Sequence, residues 1–151
     1  MTQTLRIETS KALTLAGRKG TFDIGPSPGI KDLWQSLMTD FGKIEGQVGF
    51  HAYGVCFNFD GRGQMDYLAA VQVANAGAVP GYLHTMIIPA RKVAVFTHQG
   101  DVEKLSETWG KIFAEWMPDA KRKAADGPQF ERYDFTDGED NGAVDIHIPV
   151  K

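Results

Sequence analysis

The spacing of apolar positions along the chain changes several times, and each change marks an element. "KALTLAGRKG" (Lys11 to Gly20) and "RKVAVFTHQG" (Arg91 to Gly100) each open on a basic residue, run apolar, and close in polar residues and glycine. Both read as strands. After each comes a different period. Ile30, Leu33, Trp34, Leu37, Met38 and Phe41 follow the first strand, and Val102, Leu105, Trp109, Ile112, Phe113 and Trp116 follow the second. These are stripes of period 3.6, which predict amphipathic helices. Two more strand-like runs follow each helix. The first pair is "YGVCFNF" and "MDYLAAVQV", joined by "DGRGQ"; the second is "FERYDF" and "VDIHIPV", joined by "TDGEDNG". Joints rich in Gly and Asp are hairpin chemistry.

The chain is therefore written twice. Gly20 and Gly100 lie 80 positions apart, Trp34 and Trp109 lie 75 apart, and Asp66 and Asp145 lie 79 apart. The five extra residues of the first copy fall in the loop "DIGPSPG". The reading is one domain over residues 1–151. A strand-helix-strand-strand module covers about 5–73, a linker about 74–84, and a second module about 85–151. Leu5 to Glu8 are left open as part of the first strand. One module cannot cover its own sheet, whereas two related by a pseudo-twofold axis can. The expected fold is α+β: an antiparallel sheet with both helices on one side and a ligand cleft near the axis.

Composition narrows the function. The chain is 42% hydrophobic and 23% charged over 151 residues, an ordinary globular balance. A net charge of −3 and a pI near 5.8 leave no basic excess to hold nucleic acid. The one basic run, Lys121 to Lys123, reads as a solvated helix end. The single cysteine, Cys56, excludes an intrachain disulfide and reads as a buried core thiol. The start "MTQTLRIETS" lacks signal-peptide blocks, and no apolar run is long enough for a bilayer, so a cytoplasmic protein without membrane contact is expected. The four histidines lack metal-ligand spacing, so neither a metal nor a cofactor is expected.

One stretch resists a purely structural account. In "DGPQFERYDF" an acid, Glu131, stands inside an aromatic strand. Alternation puts Glu131, Tyr133 and Phe135 on one face, and Phe130, Arg132 and Asp134 on the other. On the last strand Val144, Ile146, Ile148 and Val150 form a core face, with Asp145 and His147 opposite. A hairpin pairing could bring Glu131 and Tyr133 near Asp145 and His147, although its register cannot be read from the sequence. Rings beside a carboxylate suit a flat cation. The bland alternative is that Glu131 points to solvent or pairs with Arg132 or a lysine. Trp34, Trp109 and Trp116 lie on helix stripes and read first as core.

The second half also carries an ordered set of features. These are Ile88-Pro89-Ala90, the Gly100 turn, Trp109 and Trp116, Gly127-Pro128, the Phe130-Glu131-Arg132-Tyr133 strand and the Ile148-Pro149-Val150 ending. In this the chain resembles the GyrI-like small-molecule-binding domain, which is also the effector-binding domain of AraC-type and MerR-type multidrug regulators. The resemblance covers essentially the whole chain, and with no residues left for a helix-turn-helix it implies the stand-alone form. It implies a cleft for lipophilic, often cationic, aromatic compounds, faced by a buried glutamate at the position of Glu131. It places Trp109 near that cleft and Asp145 at a position acidic in relatives. His147 stands where relatives often carry an aromatic residue, a departure that leaves the local ligand preference open. Tyr53 leads the first-half strand matching "FERY", and Gly54 is the counterpart of Glu131 if Tyr53 aligns with Phe130.

The candidate ligand-binding residues are thus Glu131, Tyr133, Trp109, His147, Asp145, Tyr53 and Phe135. Two functions of different class stand. One is a binding module that senses or sequesters a hydrophobic small molecule, with a protein partner or a homodimer left open. The other, implied by the resemblance alone, is a hydrolase of cyclopropane-bearing genotoxins, with Glu131 as general base and Trp109 positioning the substrate. Inhibition of DNA gyrase by protein contact is a third option, with no feature of this chain's own behind it.

Overall fold

The computed structural model describes residues 5–24, 28–99, 104–119, 121, 123–134 and 143–151. The strands run β1 (Leu5–Thr9), β2 (Leu13–Asp23), β3 (Gln47–Phe57), β4 (Gln64–Val73), β5 (His84–Ile88), β6 (Lys92–Gln99), β7 (Gln129–Asp134) and β8 (Ala143–Pro149). Helix α1 (Pro28–Asp40) follows β2. Helix α2 (Leu105–Lys111) follows β6, continues through a π-helical segment, Ile112–Trp116, and ends in α3 (Met117–Asp119). Gly100, Val102 and Phe135 lie outside the described residues. No described helix is long and apolar enough to cross a membrane.

All eight strands join one antiparallel sheet in the order β1-β6-β8-β7-β3-β4-β2-β5. Its central six strands are the two modules, β2-β4-β3 and β7-β8-β6, meeting edge to edge at β3 and β7. Two differences from the sequence reading stand out. Leu5–Thr9 is a strand of its own, separate from β2, and so is His84–Ile88. These two strands are exchanged: β1 leads into the first module but pairs with β6 of the second, and β5 leads into the second but pairs with β2 of the first.

That exchange fixes the shape of the sheet. β1 and β2 stand six strand spacings apart, about 29 Å if the sheet were flat. Only Ser10 to Ala12 connect them, and four Cα steps reach about 15 Å. β5 and β6 face the same problem, with only Pro89 to Arg91 between them. The sheet must curl until its ends approach, and the linkers meet where Ser10 N–H donates to the Arg91 carbonyl at 2.8 Å. Burial agrees. Leu15, Val55, Leu68 and Ala70 are 0% exposed, yet no helical residue belongs to their cluster with Tyr53, Phe57 and Phe130. They line the inside of the curl. Both helices pack on the outside: Leu37 sits on Ala16, Ala69 and Val71, and Leu105 and Ile112 on Phe96, Ile146 and Ile148.

Gly17 shows how tightly the strands approach one another. A Cβ there would stand 1.9 Å from the Ala69 carbonyl oxygen, a backbone atom that cannot swing away. Gly17→Ala is therefore expected to cost roughly 1–3 kcal/mol, read as a fall in the thermal midpoint. An unchanged midpoint would contradict the close approach of β2 to β4.

Candidate functional site

Strand β7 aims Glu131 outward, toward the helices. Its register sets Glu131 opposite Gly54 of β3 on one side and Ile146 of β8 on the other. Tyr133, two residues on, shares that face and lies opposite Ala52 and Val144. The acid thus sits at the seam between the modules, directly across from the residue proposed as its counterpart.

The carboxylate is only 6% exposed. Its Oε1 accepts hydrogen bonds from the Tyr133 hydroxyl at 2.7 Å and the Tyr67 hydroxyl at 3.1 Å. Its Oε2 accepts from the Trp109 indole N–H at 2.7 Å. Tyr67 in turn accepts from the Trp34 indole N–H at 3.0 Å. The repeat-related tryptophans of α1 and α2 therefore both end on one acid, Trp109 directly and Trp34 through a phenol. Trp34 also meets the Tyr133 ring edge-on, with centroids 5.0 Å apart. The expected cleft is filled by these rings, and both tryptophans are half-buried between the acid and solvent.

Gly54 makes the arrangement possible. A Cβ at this position would lie 2.1 Å from the Tyr67 hydroxyl and 2.7 Å from Glu131 Oε1. The glycine gives its space to the phenol and the carboxylate rather than to a bulge.

Among the described residues no lysine or arginine pairs with Glu131. Burial raises its pKa above the ordinary 4.5, and the bonds from Tyr133, Trp109 and Tyr67 offset part of that. Buried His98, bonded through Nδ1 to Thr108 at 2.6 Å, adds a smaller pull in the same direction as those bonds. Burial also holds the Tyr67 phenol neutral, its pKa well above the usual 10.0.

The other sequence candidates divide. Trp109 and Tyr133 join Glu131. Asp145 and His147 do not: His147 lies opposite Phe130, and Asp145 opposite Arg132. The expectation that the hairpin would gather them around Glu131 is corrected by this register, which turns both onto the inner face. There His147 stacks on Phe130 at 4.4 Å, and Asp145 accepts from Thr97 at 2.8 Å. Tyr53 is on the inner face too, 6.0 Å from the Phe130 ring. Phe135 lies outside the described residues. Sequence reasoning missed Tyr67. The signal was present, since alternation sets Tyr67 beside Met65, Ala69 and Val71 on a buried face, where a phenol needs a partner. Trp34, read as core, is the other addition. No group of three or more metal-ligating side chains occurs among the described residues.

Comparison with known proteins gives the family and the fold. Residues 3–151 match the GyrI-like small molecule binding domain. The transcriptional regulator BrlR of Pseudomonas aeruginosa is 29% identical over 149 residues, which are 96% of this chain and 54% of the regulator. The chain thus spans about half the length of that relative. Among solved structures, SAV2435 bound to tetraphenylphosphonium has a TM-score of 0.75 at 23% identity, over 98% of this chain and 94% of that one. The EcmrR–DNA complex has a TM-score of 0.70 at 14% identity, over 99% of this chain and 57% of that one. At these identities the two structures show a shared fold.

Two outcomes follow from the geometry. Gly54→Ala is expected to drive Tyr67 off the carboxylate and to cost roughly 1–3 kcal/mol of stability; an unchanged thermal midpoint would sink the close-packing account. The second concerns pH. Because the folded-state pKa of Glu131 is raised, its contribution to stability is full below the ordinary value. It falls as pH rises through 4.5 toward the folded value, then levels off. This component of the pH–stability curve should vanish in Glu131→Gln, and identical curves for the two proteins would refute it.

Proposed function

We propose that this chain, which belongs to the GyrI-like small-molecule-binding domain family, binds lipophilic aromatic cations at Glu131, with Tyr133, Tyr67 and Trp109 as the surrounding wall. The observation behind this reading is a buried carboxylate ringed by aromatics and without a cationic partner among the described residues. A buried charge without a counter-ion is costly. An organic cation with its charge spread over an apolar body loses little hydration on entering such a site. It gains the carboxylate's attraction, strengthened by low local dielectric, and about 0.5–2 kcal/mol from each ring face it meets.

The ligand of SAV2435, tetraphenylphosphonium, has this character. BrlR is a transcriptional regulator, which fits a role in sensing such compounds. Asp145, His147 and Tyr53 fall outside the proposed site, because the inner face is separated from Glu131 by the sheet itself. Since Glu131 is almost wholly covered, a ligand reaches it by displacing a tryptophan. Hydrolysis is the weaker reading. Three donors already occupy both carboxylate oxygens that would have to take a proton from water.

The test compares a cation with a neutral compound of similar shape. Glu131→Gln should weaken tetraphenylphosphonium binding, measured by calorimetry, about ten- to hundredfold, equivalent to about 1.4–2.7 kcal/mol. Triphenylphosphine oxide, uncharged, should change by less than about threefold, below 0.7 kcal/mol. Equal weakening of both would remove the electrostatic role assigned to Glu131.

A further inference from the structure

The two helix stripes match residue by residue. Trp34 and Met38 on α1, with Phe41 just after it, correspond to Trp109, Phe113 and Trp116 on the α2 side, each pair at the same offset that relates the two tryptophans. The usual account of such stripes is core packing. Here the stripes reach the surface instead. Met38 is 39% exposed, Phe113 is 43% exposed, and the three tryptophans are half-buried. Trp34 also packs against the cores of both modules, so it stands at the seam above Glu131. Its indole N–H leads to the acid through Tyr67, over hydrogen bonds of 3.0 and 3.1 Å.

The repeat is symmetric in its rings and asymmetric in its charge. On the α2 side Trp109 touches the carboxylate itself, and Phe113 stacks on Trp109 with ring planes 13° apart. On the α1 side the corresponding backbone position is Gly54, and what fills the space is the neutral Tyr67 phenol. Arg18 and Asp40, near the end of α1, pair with each other at 3.1 Å. One side therefore suits a cationic head and the other an uncharged aromatic body.

We propose that Trp34 and Met38 of α1 form a second subsite that takes a neutral aromatic arm of the ligand, while Glu131 and Trp109 hold its cationic head. The preferred ligand is then an elongated, asymmetric aromatic cation rather than a compact one. This rests on the reading that Glu131 binds cations, and the test separates the two claims.

The probes share one head: benzyltrimethylammonium, which is short, and (biphenyl-4-ylmethyl)trimethylammonium, which carries a longer arm. Affinities are measured by calorimetry for the wild type, Trp34→Leu, Met38→Ala and Glu131→Gln, with thermal midpoints confirming that each variant folds. Met38 is exposed, so its variant keeps the test alive if Trp34→Leu fails to fold. The proposal expects the wild type to favour the long probe. Trp34→Leu and Met38→Ala should each weaken the long probe about three- to tenfold, and Met38→Ala, which lies outside the Glu131 cluster, should change the short one by less than about twofold. Glu131→Gln should weaken both. If Glu131→Gln weakens both while the α1 variants spare the long probe, the second subsite is overturned and the cation site stands. If the wild type binds neither probe, both claims fall.

Discussion

A carboxylate held out of water, with no lysine or arginine paired to it among the described residues, is the constraint on which this molecule turns. Glu131 is kept by three hydrogen bonds, from Tyr133, Tyr67 and Trp109. Each donor needs its own support. Tyr67 reaches the acid only because Gly54 lacks a side chain, and Trp34 caps the far side of the Tyr67 hydroxyl. The cluster draws on α1, α2, β4 and β7, with β3 supplying the gap, so both halves of the repeat are needed to build one site. The three donors only partly compensate burial, since the acid's pKa stays raised. What remains uncompensated is the burial cost on which the proposed uptake of a cation rests.

The acid and its donors are divided between the sheet and the helices. Glu131, Tyr133, Tyr67 and Gly54 sit on central strands hydrogen-bonded on both sides. The exchange of β1 and β5 curls the sheet and ties each module to the other, so the seam under Glu131 is braced at both ends. The tryptophans ride on helices outside that frame. α2 buries only Leu105 and Thr108 in its regular turns. The indole N–H that meets the carboxylate therefore comes from a helix, and the two phenols from the sheet.

Much of this was legible in the chain. The change from period 2 to period 3.6, twice over, gave the modules and the amphipathic helices, and the alternation of β7 put Glu131 with Tyr133. Other features were not legible, for identifiable reasons. Leu5–Thr9 and His84–Ile88 are five-residue strands whose partners belong to the opposite module, and local pattern carries no information about such an exchange. The register of β7 against β8 decides whether Asp145 and His147 meet Glu131, and a shift of one residue reverses every face. The observed pairing sends them inside the curl. Tyr67 lies on β4, with β3 between it and the acid's strand, and the local pattern of β4 does not say which partner its buried phenol finds.

The central claim is that burial leaves Glu131 short of a counter-charge and that a cation supplies it. The most direct measurement is a titration of the Glu131 side-chain carboxyl by carbon-13 NMR, with and without tetraphenylphosphonium. The account predicts a midpoint above 4.5 in the free protein and a lower midpoint once the cation is bound. A midpoint at the ordinary value, or one that does not move when the cation binds, would contradict it.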